Sequence, residues 1–109
     1  MSIDYTQLSQ SRVTNTNPLS IYQSSISQTV QLFIKIANVS SGPAFLRVFH
    51  DQNGSTYDQN TAIVYDLKLN PGELLELDHI FVNNPSGNIA YRSSVASALT
   101  ATVYGVVRT

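Results

Sequence analysis

The chain has 109 residues, a length that fits one domain with one modest hydrophobic core. Only 12% of the residues are charged, about half of the ~25% usual in soluble domains, whereas 39 are Ser, Thr, Asn or Gln. The formal net charge is -1, and the six Lys and Arg residues are scattered along the chain. This distribution excludes a nucleic-acid-binding patch, because backbone phosphates require clustered basic side chains.

The sequence shows neither a membrane-spanning segment nor a signal peptide. No apolar run approaches the ~20 residues of a membrane span, and the opening MSIDYTQLSQ has neither the basic start nor the apolar core of a signal peptide. Because the chain has no cysteine, disulfides and thiolate metal sites are excluded. We therefore expect no membrane association and a protein that is made in a cytosol.

The first ten residues form a segment of their own. Their apolar anchors are Ile3, Tyr5 and Leu8, which stand among polar neighbours. This pattern is typical either of an arm that orders on a partner or of a first edge strand. We assign residues 1–10 to this N-terminal arm or edge strand, and residues 11–109 to the domain that follows.

Five later segments alternate apolar and polar residues with the period of two that a half-buried strand requires. They are QTVQLFIKIANV at 28–39, PAFLRVFH at 43–50, AIVYDLKL at 62–69, LLELDHIFV at 74–82 and ALTATVYGVVR at 98–108. The residues predicted to share one face of each strand are, in chain order, Val30, Leu32, Ile34 and Ile36; Ala44, Leu46 and Val48; Ile63, Tyr65, Leu67 and Leu69; Leu75, Leu77, His79 and Phe81; Leu99, Ala101, Val103 and Val107.

Weaker strands around 11–14, 19–22 and 89–91 bring the count to seven or eight. Turn signals separate them: SSGP at 40–43, QNGS at 52–55, NPGE at 70–73 and NNPSGN at 83–88. NPGE predicts a type II turn with Pro71 and Gly72 in its central positions. The chain is therefore predicted to be all-β, a single antiparallel β-sandwich of the jelly-roll or Ig-like kind.

The polar loop at 51–61 allows two interpretations. Asp51, Asn53 and Gly54 resemble the start of a calcium loop, but the twelfth position is Ala62, which excludes an EF-hand. A looser ion site with Asp51, Asn53 and Asp58 is the alternative. We favour an inter-strand loop in which the two aspartates accept hydrogen bonds from backbone donors and Tyr57 folds back over the loop.

Catalysis is not expected. His50 and His79 lie near acids, yet no nucleophile motif accompanies them. Glu76 and Asp78 share a strand face and are interpreted as a solvated surface. We predict no catalytic residue, no metal and no cofactor.

Tyrosine is the most abundant aromatic residue, with six copies. Flat amphipathic rings suit carbohydrate or protein surfaces. The alternative is that Tyr65 and Tyr91 pack inward and expose only their hydroxyls.

Several blocks of the sequence together resemble a known group. They are SQSRVTNTNPLSIYQS, IKIANVSSGPAFLRVFHDQNGSTYDQNTAIVYDLKLNPGELLELD, IFVNNPSGNIAYRSS and ALTATVYGVV. Their order is similar to that in small tailed-bacteriophage virion proteins. The resemblance implies a non-enzymatic β-sandwich located in the virion, such as a capsid decoration or cement protein. It further implies a homo-oligomer, often a trimer, that binds the major capsid protein or another virion protein.

Candidate contact residues follow from both possible functions. For subunit contacts we predict Ile3, Tyr5, Leu8, Phe33 and Phe49. The alternative function is a glycan- or receptor-binding module of a phage tail or neck, which would use Asp51, Asn53, Tyr57 and Asp58 in the polar loop.

Overall fold

A computed structural model describes residues 3–24, 29–52, 54–82 and 87–108. These residues form eight strands and no helix, so none of them builds a helical membrane span. The strands are β1 (Ile3–Arg12), β2 (Leu19–Gln23), β3 (Thr29–Asn38), β4 (Ala44–Asp51), β5 (Ala62–Leu69), β6 (Leu74–Val82), β7 (Asn88–Ser93) and β8 (Leu99–Arg108).

The strands pair into two antiparallel sheets of four. Sheet A has the order β1-β8-β3-β6, and sheet B has the order β2-β7-β4-β5. Apart from the β4–β5 connection, every consecutive pair of strands lies in different sheets. This is the strand order of an eight-stranded jelly roll, so the predicted antiparallel sandwich is confirmed and the jelly-roll alternative is the one observed.

Apolar alternation builds the core between the sheets. The predicted inward residues of β3, β4 and β8 are all buried: Val30, Leu32, Ile34, Ile36, Ala44, Leu46, Val48, Leu99, Ala101, Val103 and Val107. The intervening residues face outward, as the period of two requires. Apart from Phe49, which is buried against Tyr57 on the other face of β4, local sequence pattern and tertiary burial therefore agree along these three strands.

Strand β5 departs from the predicted alternation. Its register with β4 shifts twice, between Leu46 and Val48 and again between Val48 and Phe49. As a result Ile63 and Tyr65 are 48% and 43% exposed, so their predicted place on an inward face is wrong. Each bulge adds one residue to one strand and reverses which residues point inward.

Strand β6 also contains a register shift. Leu75 and Leu77 pack against the core as predicted. Beyond the shift, Val82 is fully buried and pairs with Val30. The predictions for the His79 and Phe81 side chains concern atoms outside the described part of the structure.

The turn between β5 and β6 has the predicted geometry. The Glu73 N–H donates to the Asn70 carbonyl at 3.0 Å, and Gly72 has φ 82°. A positive φ at the second central position defines a type II turn. The predicted turn at 83–88 lies largely outside the described residues.

Residues 3–12 form the edge of sheet A rather than a separate arm, and pair antiparallel with β8. The predicted strand around 11–14 is not separate, since Ser11 and Arg12 end β1. At the register shift in β1, Leu8 turns to the core and lies over Gly105. A Cβ atom at Gly105 would lie 2.5 Å from Leu8 Cδ1, so glycine leaves the space that Leu8 occupies.

Candidate functional site

The described part of the 51–61 loop is held by its own polar side chains. Asp51 Oδ2 accepts a hydrogen bond from the Thr56 N–H at 2.9 Å, and Asp58 Oδ1 accepts one from the Asn60 N–H at 2.8 Å. The Thr61 hydroxyl donates to the Thr56 carbonyl at 2.8 Å. The prediction that both aspartates accept from backbone donors is therefore confirmed.

A metal site depends on several ligands in one place. Among the residues that the structure describes, no group of three or more His, Cys, Asp or Glu side chains is placed to hold a metal ion. Asn53, the middle residue of the looser calcium hypothesis, lies outside the described residues. Within the described part of the loop, one side-chain oxygen of Asp51 and one of Asp58 accept hydrogen bonds from backbone N–H groups of the loop.

His50 stands where β4 leads into this loop. Its N–H donates to the Thr61 carbonyl at 2.8 Å, which closes the base of the loop. Burial lowers the pKa of the His50 imidazole, while Asp51 and Gln52 act in the opposite direction. The imidazole therefore favours the neutral form, while the backbone of His50 closes the loop base.

An open cleft of about 370 Å³ lies on the outer face of sheet B, between this loop and strands β4 and β5. We call it the sheet B cleft. Its lining consists of Arg47, Phe49, Tyr57, Asp58, Gln59, Asn60 and Tyr65. The Phe49 and Tyr57 rings pack with centroids 5.9 Å apart, so the loop tyrosine covers the strand phenylalanine, which is only 2% exposed.

Arg47 is fixed in this cleft by two neighbours on β5. Its Nε and Nη2 donate to the two carboxylate oxygens of Asp66 at 2.6 and 3.1 Å. Its guanidinium carbon lies 4.1 Å from the centroid of the Tyr65 ring. The hydrogen bond from Arg47 lowers the pKa of Asp66, which therefore stays charged over a wide pH range.

The bulged strand makes this arrangement possible. Asp66 has φ 55°, a left-handed conformation that Asp tolerates better than most residues. At the first register shift, between the Leu46–Leu67 and Val48–Val64 pairs, Tyr65 and Asp66 both come into contact with Arg47. The sequence pattern assigned Tyr65 to an inward face and so missed its part in the cleft.

The two tyrosines that the sequence left ambiguous behave differently. Tyr91 is fully buried and its hydroxyl is hydrogen-bonded inside the sandwich. Tyr65 is exposed, and its hydroxyl accepts a hydrogen bond from Gln59 Nε2 at 3.4 Å. Tyr91 therefore packs inward as the alternative states, although its hydroxyl is buried too, and the alternative is wrong for Tyr65.

A second cleft lies on the opposite side of the sandwich, on the outer face of sheet A. This sheet A groove of about 360 Å³ is lined by Thr6, Gln7, Phe33, Tyr104, Gly105 and Val106. Its lining is neutral and mainly apolar. Tyr104, a residue that the sequence analysis did not select for binding, is 41% exposed here.

The structure does not bring the five predicted contact residues together. Phe33 lies in the sheet A groove, whereas Leu8 packs toward the core and Phe49 is buried on sheet B under Tyr57. The Phe49 prediction as an exposed anchor is therefore wrong. The backbones of Ile3 and Tyr5 belong to β1, and their side chains lie outside the described part.

Comparison with models of known protein families gives no match for this chain. A search of curated proteins also gives no significant match.

Proposed function

We propose that the protein is a non-enzymatic structural protein of a bacteriophage virion. In this proposal it is a capsid decoration or cement protein, assembles as a homotrimer, and binds the major capsid protein or another virion protein. The support is the sequence resemblance together with one structural observation. That observation is the β1 side of the sandwich, which carries no charge between Asp4 and Arg12 and continues into the sheet A groove.

The two sides of the sandwich differ in charge. Strands β1 and β2 lie together on one side, where the Ser9 hydroxyl donates to the Ile21 carbonyl at 2.7 Å. The charged residues of β1, Asp4 and Arg12, lie near its two ends, and residues 5–11 and 19–23 between and beside them include none. The other side is formed by β5 and β6, which carry Asp66, Lys68, Glu76 and Asp78.

Charges and bulges are how edge strands avoid pairing with other chains. The β5–β6 side has both, because β5 contains two register shifts in addition to its charged residues. Strand β1 is ten residues long and has one shift, at Leu8. Of the two sides, the β1 side is therefore the better template for a strand of another protein.

The sheet A groove lies beside this edge and can bind side chains of a partner strand. Thr6 and Gln7 of β1 line it together with Tyr104 and Val106 of β8. A partner strand that extends sheet A along β1 would reach the groove with its outward side chains. Such a contact depends on shape and neutral hydrogen bonds, and three subunits on one particle would multiply a weak single contact.

The experiment combines native mass measurement with co-sedimentation on empty capsids of the phage that encodes the protein. We expect a stable trimer that sediments with capsids. Gln7→Lys places a charge beside the groove and should weaken capsid binding about tenfold or more, since a lysine on an edge opposes strand pairing. Asn70→Lys, at the exposed turn on the opposite side, is the matched control and should bind as the unmodified protein does.

Two results would contradict the proposal. One is a monomer that leaves capsids unbound, which would instead favour the glycan- or receptor-binding alternative. The other is capsid binding that Gln7→Lys and Asn70→Lys reduce equally, which would remove the β1 side from the contact.

A further inference from the structure

The sheet B cleft combines an exposed aromatic ring with hydrogen-bonding groups. Tyr65 is 43% exposed because the β5 bulges turn it outward. Tyr57, half-buried, lines the cleft from the loop and rests on Phe49. Aromatic rings of this kind stack on the apolar C–H face of a sugar ring while their hydroxyls bind its hydroxyl groups.

The cleft is organised before any ligand arrives. Arg47 is held by both oxygens of Asp66 and lies against the Tyr65 ring. Gln59 holds the Tyr65 hydroxyl from the loop side. Binding therefore requires little ordering of these side chains, which favours even a small ligand.

The hydrogen-bonding capacity of the cleft suits hydroxyl groups. Asp58 accepts from the Asn60 N–H through one oxygen, and a carboxylate has about four lone-pair directions in total, so it can also accept from a ligand. The Asn60 side chain is exposed and offers both a donor and an acceptor. Adjacent donors and acceptors of this kind match the alternating hydroxyls of a pyranose.

The charges in and around the cleft select an uncharged ligand. The positive charges are those of Arg47 and of Arg92, its partner on the neighbouring strand β7, and the negative charges are those of Asp66 and Asp58. These charges balance, so an anionic sugar would gain no net electrostatic attraction from the site. A neutral sugar would meet the same hydrogen-bonding groups and has no charge to desolvate.

We propose that the sheet B cleft is a binding site for a neutral saccharide, with Tyr65, Tyr57 and Asp58 as its principal contacts. Of the loop residues that the sequence indicated for a glycan, Tyr57 and Asp58 belong to this cleft, whereas Asp51 is bound to Thr56 within the loop. The site lies on the outer face of the sheet opposite the sheet A groove. It therefore does not depend on the proposed capsid attachment, and both faces can be occupied at once.

The test is a heteronuclear NMR titration of the full chain with four methyl glycosides, those of glucose, mannose, galactose and N-acetylglucosamine. Each is added to about 20 mM, well above a dissociation constant of about 1 mM. We expect amide shifts at Arg47, at 58–60 and at Tyr65 with at least one of them. Tyr65→Ala and Asp58→Asn should each weaken that binding about tenfold.

Tyr104→Ala is the matched control, because Tyr104 is equally exposed but lies on the other sheet. It should leave saccharide binding unchanged. Tyr57→Ala is not a clean test, because it also exposes the Phe49 ring on which Tyr57 packs and so changes the fold as well as the cleft. Tyr65→Ala and Asp58→Asn are therefore the decisive variants.

Three outcomes would overturn the inference. They are no shifts with any of the four glycosides, shifts that persist unchanged in both Tyr65→Ala and Asp58→Asn, and binding of N-acetylneuraminic acid in preference to the neutral sugars. None of them bears on whether the protein binds capsids, so failure here is distinguishable from failure of the virion proposal.

Discussion

The buried hydroxyl of Tyr91 accepts a hydrogen bond from the backbone N–H of Val13 at 3.0 Å. Tyr91 belongs to β7 of sheet B, and Val13 directly follows β1 of sheet A. The bond therefore ties the two sheets together through the interior. Desolvation raises the pKa of this hydroxyl, which stays protonated and can also donate to nearby carbonyls such as that of Ser11 at 3.3 Å.

Tyr91→Phe should lower the free energy of unfolding by about 1–3 kcal/mol, because the buried Val13 N–H would lose its acceptor. Urea unfolding followed by circular dichroism measures the change. Tyr104→Phe is the control, and at an exposed position it should change stability by less than about 0.5 kcal/mol. Equal losses in the two variants would show that the inter-sheet bond contributes nothing.

Gly72→Ala should destabilise the fold by about 1 kcal/mol, since Gly72 has φ 82° and a Cβ atom is unfavourable there. The space around it is open, so the cost is purely conformational. Gly42→Ala is a close control, because Gly42 is equally open and is not among the glycines with positive φ. It should be neutral or slightly stabilising. Unfolding free energies of the two variants compare them directly, and a Gly42→Ala loss as large as that of Gly72→Ala would contradict the type II turn argument.

Stability should depend on pH through His50. Burial places the pKa of folded His50 below its ordinary value of 6.5, so the unfolded chain takes up the proton first as the pH falls. The stabilisation is thus fully present above 6.5 and is lost as the pH falls toward the folded pKa. Urea unfolding between about pH 7.5 and 5 should show this decline.

His50→Gln should flatten that decline, and an NMR titration of the His50 ring should give a midpoint below 6.5. His79→Gln, measured in the same way, shows how much of the decline in stability comes from the second histidine. A His50 midpoint at the ordinary value would remove the pH slope that this residue contributes, and a midpoint above it would reverse the sign of the slope. Either result would refute the prediction.

Deletion of residues 1–10 should destabilise the domain and not merely release an attachment arm. The deletion removes most of β1, uncovers the backbone groups of β8, and takes away Leu8 above Gly105. We expect the Tm to fall by at least about 10 °C, as a loss of a few kcal/mol implies for a domain of this size. Deletion of residues 1–2 alone is the control, and an unchanged Tm in the longer deletion would restore the arm interpretation.

The sequence by itself determined the sandwich, because its strands carry the period of two that a sheet with one buried face imposes. Residues such as Leu32, Leu46 and Val103 were predicted inward and are buried. The NPGE turn was also predictable, since Pro71 and Gly72 have backbone preferences that act within four residues. The hydrogen bonds of the loop aspartates were predictable as well, because Asp58 and Asp51 accept from backbone donors only two and five residues away.

The clefts were decided by tertiary structure. Tyr65 joins Arg47 only because bulges in β5 break the alternation, and a bulge is defined by the pairing of two strands rather than by one of them. Phe33 and Tyr104 are 71 positions apart in the chain and become neighbours through the β3–β8 register. Such long-range juxtapositions have no signal in local sequence pattern, so the jelly-roll strand order and both clefts follow from which strands pair and in which register.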